Sequence, residues 1–147
     1  MKKLSKFRLQ KVLEVREIVE KEKQKELSIS KRKLNSVEED LRDLKRKLNA
    51  CTAEINGLAK TKAQDMMEHH GYLNTLTQSI DAKCKDITVV MEDVEIKRLD
   101  LLEASKEKKA LLNLKEKKAV EQKEQENRRE QSNIDEITHN KQNKDHH

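Results

Sequence analysis

Residues 34–58 read LNSVEEDLRDLKRKLNACTAEINGL, and their apolar positions decide the fold. Leu34, Val37, Leu41, Leu44, Leu48, Cys51, Ile55 and Leu58 follow one another at alternating spacings of three and four, which places them on one face of an α-helix. A second stripe of similar length runs through Leu73, Leu76, Ile80, Ile87, Val90, Val94, Leu101, Ala104 and Leu111, with Lys83, Lys97 and Lys108 at the intervening heptad positions. Between the two lies Asn56-Gly57. The pattern predicts an all-α fold, a long antiparallel two-helix coiled-coil hairpin.

Composition supports a narrow seam and excludes an ordinary globular core. Of 147 residues, 41% are charged and 1% aromatic, and proline is absent. So little bulky apolar area can be buried only along a stripe. Without proline, nothing removes a backbone donor or clashes with the preceding turn, so helices can run on. Disorder has a similar composition, but it does not sustain heptads. No segment approaches the roughly 20 apolar residues that cross a bilayer, and the N-terminus lacks the apolar core of a signal peptide, so a cytoplasmic protein is expected. Cys51 and Cys84 fall on or beside the seam, where a thiol packs as a small apolar group.

The two glycines offer two turns. Turning at Gly71 would set Val12 and Val15 against the charged stretch 126–129. Turning near residues 57–61 pairs positions whose numbers sum to about 118, brings Leu41 to Leu76 and ends both stripes together. Asn56-Gly57 suits the left-handed end of a helix, and Thr61-Lys62-Ala63-Gln64 has capping-box form. One hairpin over 1–147 is expected, with helix 1 about 4–55 and roughly 80 Å long, a turn about 56–61, helix 2 about 61–140 and a disordered C-terminal tail. Helix 2 outruns its partner. Gly71 falls inside it, at about 1 kcal/mol less favourable than alanine. Between Val19 and Leu27 the apolar spacing reads as two fours, a stutter.

Basic charge concentrates at the open end, where Met1 to Lys33 holds twelve Lys or Arg against five Glu. A solvated or protein-docking face fits this better than nucleic-acid binding, because the stretch carries one aromatic and no groove-reading motif. No phosphate-binding glycine loop occurs, and the His and Cys positions make no metal pattern; His69-His70 are neighbours about 100° apart on a helix. No enzyme, cofactor or metal is expected, since paired carboxylates on an exposed surface lack the pocket that would shift their pKa.

Three stretches carry a family resemblance. The opening Phe7-Arg8-Leu9-Gln10-Lys11-Val12-Leu13-Glu14-Val15-Arg16-Glu17 resembles the N-terminus of the flagellar export protein FliJ family. His69-His70-Gly71-Tyr72-Leu73-Asn74-Thr75-Leu76-Thr77-Gln78-Ser79-Ile80 is similar to its middle segment, and Asn133-Ile134-Asp135-Glu136-Ile137 to its C-terminal element. Gly71 departs from the family pattern, which usually has a polar residue there, and Tyr72 stands where phenylalanine is also common.

The resemblance implies a soluble, peripherally membrane-associated stalk component of the bacterial flagellar type III protein export apparatus. Such a stalk inserts into the ring of the export ATPase, promotes its assembly and activity, contacts the cytoplasmic domain of the export gate protein FlhA and helps recycle export chaperones. Carried over by position, Tyr72 and Leu76 match the exposed apolar pair that binds the gate, although Leu76 also fits the seam. Phe7, Gln10, Leu13 and Arg16 on helix 1, with Asp135 and Glu136 on helix 2, are the ATPase-binding candidates. The alternatives are the stalk of a virulence type III secretion system, and a generic coiled-coil scaffold or nucleic-acid-binding hairpin.

Overall fold

The structure is a computed structural model that describes residues 8–57 and 63–145. Two helices pack against each other: α1, Gln10–Gly57, has 48 residues, and α2, Ala63–Asp145, has 83. No strand occurs among the described residues. α2 continues beyond residue 140 to Asp145, with Asp65 in its first turn and Lys144 in its last, each of the sign that complements the helix dipole. Threonines are accommodated in the helices by bonding backward: the hydroxyls of Thr52, Thr77 and Thr88 donate to the carbonyls of Leu48, Leu73 and Cys84 at 2.9–3.1 Å.

The chain divides into two compact units, each built from a stretch of both helices: Lys21–Leu102, and Met1–Glu20 with Glu103–His147. In the 21–102 unit the expected stripes form the seam. Leu27, Cys51 and Leu76 are buried; Leu34, Val37, Leu41, Leu44, Leu48 and Ile55 face Leu73, Ile80, Ile87, Val90, Val94 and Leu101 in half-buried positions. Pairing is antiparallel, but the register differs from expectation. Asp40 bonds to Lys83 and Ser30 to Asp93, and each pair of numbers sums to 123 where about 118 was expected, so residue 41 lies level with about 82.

α1 ends later than its sequence suggested. No described residue, glycine included, has a positive φ, so Asn56-Gly57 does not adopt the left-handed helix end read from its sequence, and α1 runs on through Gly57. With α1 running two residues past Ile55 and α2 described from Ala63, the paired sums are higher than expected. Leu58 and the Thr61-Lys62 half of the capping box lie outside the described residues.

In the other unit Leu13, at 1% exposure, and Ala104, at 6%, are the buried apolar side chains among the described residues. The seam positions of α1 continue through Leu13, Arg16, Glu20, Lys23, Leu27, Ser30 and Leu34, buried or half-buried in an unbroken alternation of three and four. No stutter occurs. Its appearance arose from counting apolar residues alone, whereas the heptad carries charged side chains through this stretch. Past Leu111 every described residue of α2 is exposed except Gln122, which is half-buried.

Gly71 sits within α2 in helical conformation, its carbonyl accepting from the Thr75 hydroxyl at 3.1 Å, and an added Cβ would meet nothing within 4 Å. Gly71→Ala therefore removes unfolded-chain entropy at no steric cost, and should raise stability by about 0.5–1 kcal/mol, read as a higher urea midpoint with unchanged slope.

Candidate interaction sites

Tyr72 lies in the early part of α2, just after His69, which meets the last turns of α1. The Cys51 thiol donates to the His69 carbonyl at 3.8 Å, and His69 Nδ1 lies 3.8 Å from Glu54 Oε2. Tyr72, one turn further along α2, is 50% exposed and is the one aromatic side chain among the described residues. Leu76 is 4% exposed. The two therefore do not form an exposed pair: a spacing of four turns the helix by about 40° beyond a full revolution, which carries Leu76 into the seam and leaves Tyr72 beside it. Leu76 packs beneath the face that Tyr72 presents.

The residues grouped at the chain ends are separated. Gln10 Nε2 reaches Glu14 Oε1 at 3.5 Å along its own helix; Leu13 is buried; Arg16 pairs with Glu107 of α2. Asp135 accepts from Gln131 Nε2 at 3.1 Å, and Glu136 is exposed between Ile134 and Ile137, themselves 55% and 67% exposed. From Glu107, where Arg16 docks, Asp135 lies 28 residues further along α2, about 42 Å at 1.5 Å per residue. Gln10, Leu13 and Arg16 do not share a patch with Asp135 and Glu136, because α1 is level with only the first part of this stretch of α2. Phe7 lies outside the described residues.

Polar contacts across the seam escaped the reading of apolar stripes. Lys108 Nζ donates to Glu20 Oε1 at 2.8 Å, and the Glu20 side chain is only 13% exposed. The bond from Lys108, then one from Ser105, holds the Glu20 carboxyl below the usual carboxylate range, outweighing the desolvation that opposes them. In the 21–102 unit, Ser30, at 2% exposure, donates to Asp93 Oδ2 at 2.6 Å, and Lys83 donates to Asp40 Oδ2 at 3.3 Å. Part of the signal was present: a lysine at seam position 83 calls for an acid opposite, and the observed register supplies Asp40, while Lys108 reaches further along α1 to Glu20. Asp40, Asp43, Leu44, Lys47 and Lys83 line an open surface hollow. Among the described residues no group of three or more His, Cys, Asp or Glu could hold a metal ion, and no helix is long and apolar enough to cross a membrane. Cys51 and Cys84 are both free thiols.

The sequence profile of the family described as Flagellar FliJ protein matches residues 5–144. No curated protein and no solved structure gives a significant match.

The different placements of Tyr72 and Leu76 have measurable consequences. Leu76→Ala should cost roughly 2–4 kcal/mol of stability by opening a cavity in the seam. Tyr72→Ala should change the unfolding free energy by less than about 1 kcal/mol, because half the ring is already in water. Denaturant titration of both variants checks the contrast. For Glu20, a depressed folded pKa means the Lys108 bond stabilises above the ordinary carboxylate pKa and is lost as pH falls through the lower folded value. On acidification from neutral pH, Glu20→Gln should lose less stability than the unsubstituted protein; parallel pH profiles would contradict this assignment.

Proposed function

The chain belongs to the flagellar FliJ family, and from that premise we propose that this non-catalytic export component works as a coiled-coil stalk, engaging the export ATPase ring and linking it to the export gate. The observation that carries the reading is the bare continuation of α2. Residues 112–145 stay helical with nearly every side chain exposed, a surface that an encircling or flanking partner can cover. Ile134 and Ile137 supply its apolar contacts, and Asp135 and Glu136 its charged ones. Gln10 and Arg16 form a separate contact on α1, positioned by the buried Leu13. The two groups thus meet the ATPase at different levels.

Tyr72 is the gate-facing anchor, a half-exposed amphipathic ring on a helix held rigid by the seam beneath it, and it contacts the cytoplasmic domain of FlhA. Leu76 contributes by holding that helix. The protein acts in the cytoplasm, reaches the membrane through its partners and takes part in recycling export chaperones.

Added to its cognate export ATPase, the protein should raise ring assembly and ATP hydrolysis. Ile134→Asp with Ile137→Asp should reduce that stimulation at least several-fold without loss of helical signal. Tyr72→Ala should weaken binding to the gate domain about tenfold, corresponding to 1.4 kcal/mol, with unchanged circular dichroism. No stimulation at saturating protein would refute the stalk role, and unaltered gate affinity would remove Tyr72 from the site.

A further inference from the structure

We propose that residues 10–20 of α1 form an ionic strap on α2, which releases as one piece when its charges are screened while the pairing within residues 21–102 stays closed. The strap's cross-helix polar contacts are Lys108 Nζ to Glu20 Oε1 at 2.8 Å, the Ser105 bond to the Glu20 carboxylate, and the Arg16–Glu107 ion pair, whose side chains are each 41% exposed. Its apolar hold is narrow. Among the described residues of this unit only Leu13 and Ala104 are buried apolar groups and Leu9, Val19 and Leu111 are half-buried, whereas Val12, Val15 and Ile18 are 41%, 55% and 56% exposed. The 21–102 unit also has cross-helix polar contacts, Ser30–Asp93 and Lys83–Asp40, but more apolar hold: Leu27, Cys51 and Leu76 are buried, and half-buried aliphatic side chains recur from Leu34 to Ile55.

Salt acts oppositely on these two kinds of contact. Raising ionic strength from about 0.1 M to 1 M shortens the screening length from about 10 Å to 3 Å and weakens half-exposed ion pairs, while it leaves apolar contacts intact or strengthened. Local opening then follows the weaker contacts, so the strap lifts first. Lifting uncovers Leu13 beside Val12, Val15, Ile18 and Val19, five aliphatic side chains within residues 12–19, and bares the α2 face at Ala104. In the closed state the most buried of these five, Leu13, is unavailable to a partner. The strap therefore sets how much apolar surface the open end of the pair displays, and its charges govern that setting.

Hydrogen exchange of the full chain, read by mass spectrometry at about 50 mM and 1 M sodium chloride, tests this directly. Amides of residues 10–20 should exchange about fivefold or more faster at high salt, while those of 34–55 keep their low-salt rates. Lys108→Glu should produce the same acceleration at low salt, and Glu20→Lys combined with Lys108→Glu should restore both the protection and its salt response. Salt-insensitive protection of the strap would overturn the proposal. So would acceleration of both segments by the same factor, or a charge swap that fails to rescue the single variant.

Discussion

Everything in this molecule depends on a seam one side chain wide. A globular domain spreads its apolar burial over layers, and can lose one contact while its neighbours reorganise around it. Here each helix turn contributes one or two residues, and the buried residues are few: Leu13, Leu27, Ser30, Cys51, Leu76 and Ala104 among those described. A slip of the helices by one heptad would still match Leu with Ile and Val with Leu. Apolar matching alone is therefore a weak determinant of register, and something with sharper preferences must select one alignment.

The charged and polar residues within the seam supply that preference. Ser30 has its partner in Asp93, Lys83 in Asp40, Lys108 in Glu20 and Arg16 in Glu107. Moving either helix along the other would leave a half-buried lysine facing an aliphatic layer, with its desolvation uncompensated. Such pairs add little net stability relative to well-packed apolar residues; their effect is to make the alternatives worse. On α1 the stretch from Leu34 to Ile55 carries apolar residues at its seam positions, while the charged seam positions Arg16, Glu20 and Lys23 precede it; Lys83 of α2 meets Asp40 beside that apolar stretch.

Much of the fold was legible in the sequence, because heptad periodicity is a local signal repeated many times. Helix identity, the antiparallel pairing and the greater length of α2 all followed from the spacing of Leu34 to Ile55 and Leu73 to Leu111. The register was not legible to the same accuracy. It depends on the conformation of two residues, Asn56 and Gly57, and glycine's permissiveness allows it to continue a helix as well as to end one. The apparent stutter near Val19 came from treating Arg16, Glu20 and Lys23 as non-seam residues because they are charged. For the candidate sites, spacing established that Tyr72 and Leu76 share a side of α2. Which of them faces water depends on how α1 lies across that side, which only tertiary packing decides. The separation of Arg16 from Asp135 was implicit in the unequal helix lengths, since an 83-residue helix cannot be level with a 48-residue one throughout.

The excess length of α2 raises its own physical question, because an exposed helix without a tertiary partner is ordinarily marginal. Residues 115–145 meet this by composition. They hold eight Lys or Arg and eight Asp or Glu, no glycine and no proline, so charge repulsion does not accumulate and helix-favouring side chains predominate. Oppositely charged residues recur at spacings of three and four, as at Lys117 and Glu121 or Glu124 and Arg128, where they face one another along the surface. Continuity with the packed part of α2 removes the nucleation cost that an isolated peptide would bear. The helix can thus persist while its surface remains uncommitted. A stalk needs this combination: a segment ordered before its partner arrives loses less conformational entropy on docking than one that must fold on contact. Its near-neutral charge also leaves Ile134 and Ile137 as the most distinctive features of its final turns.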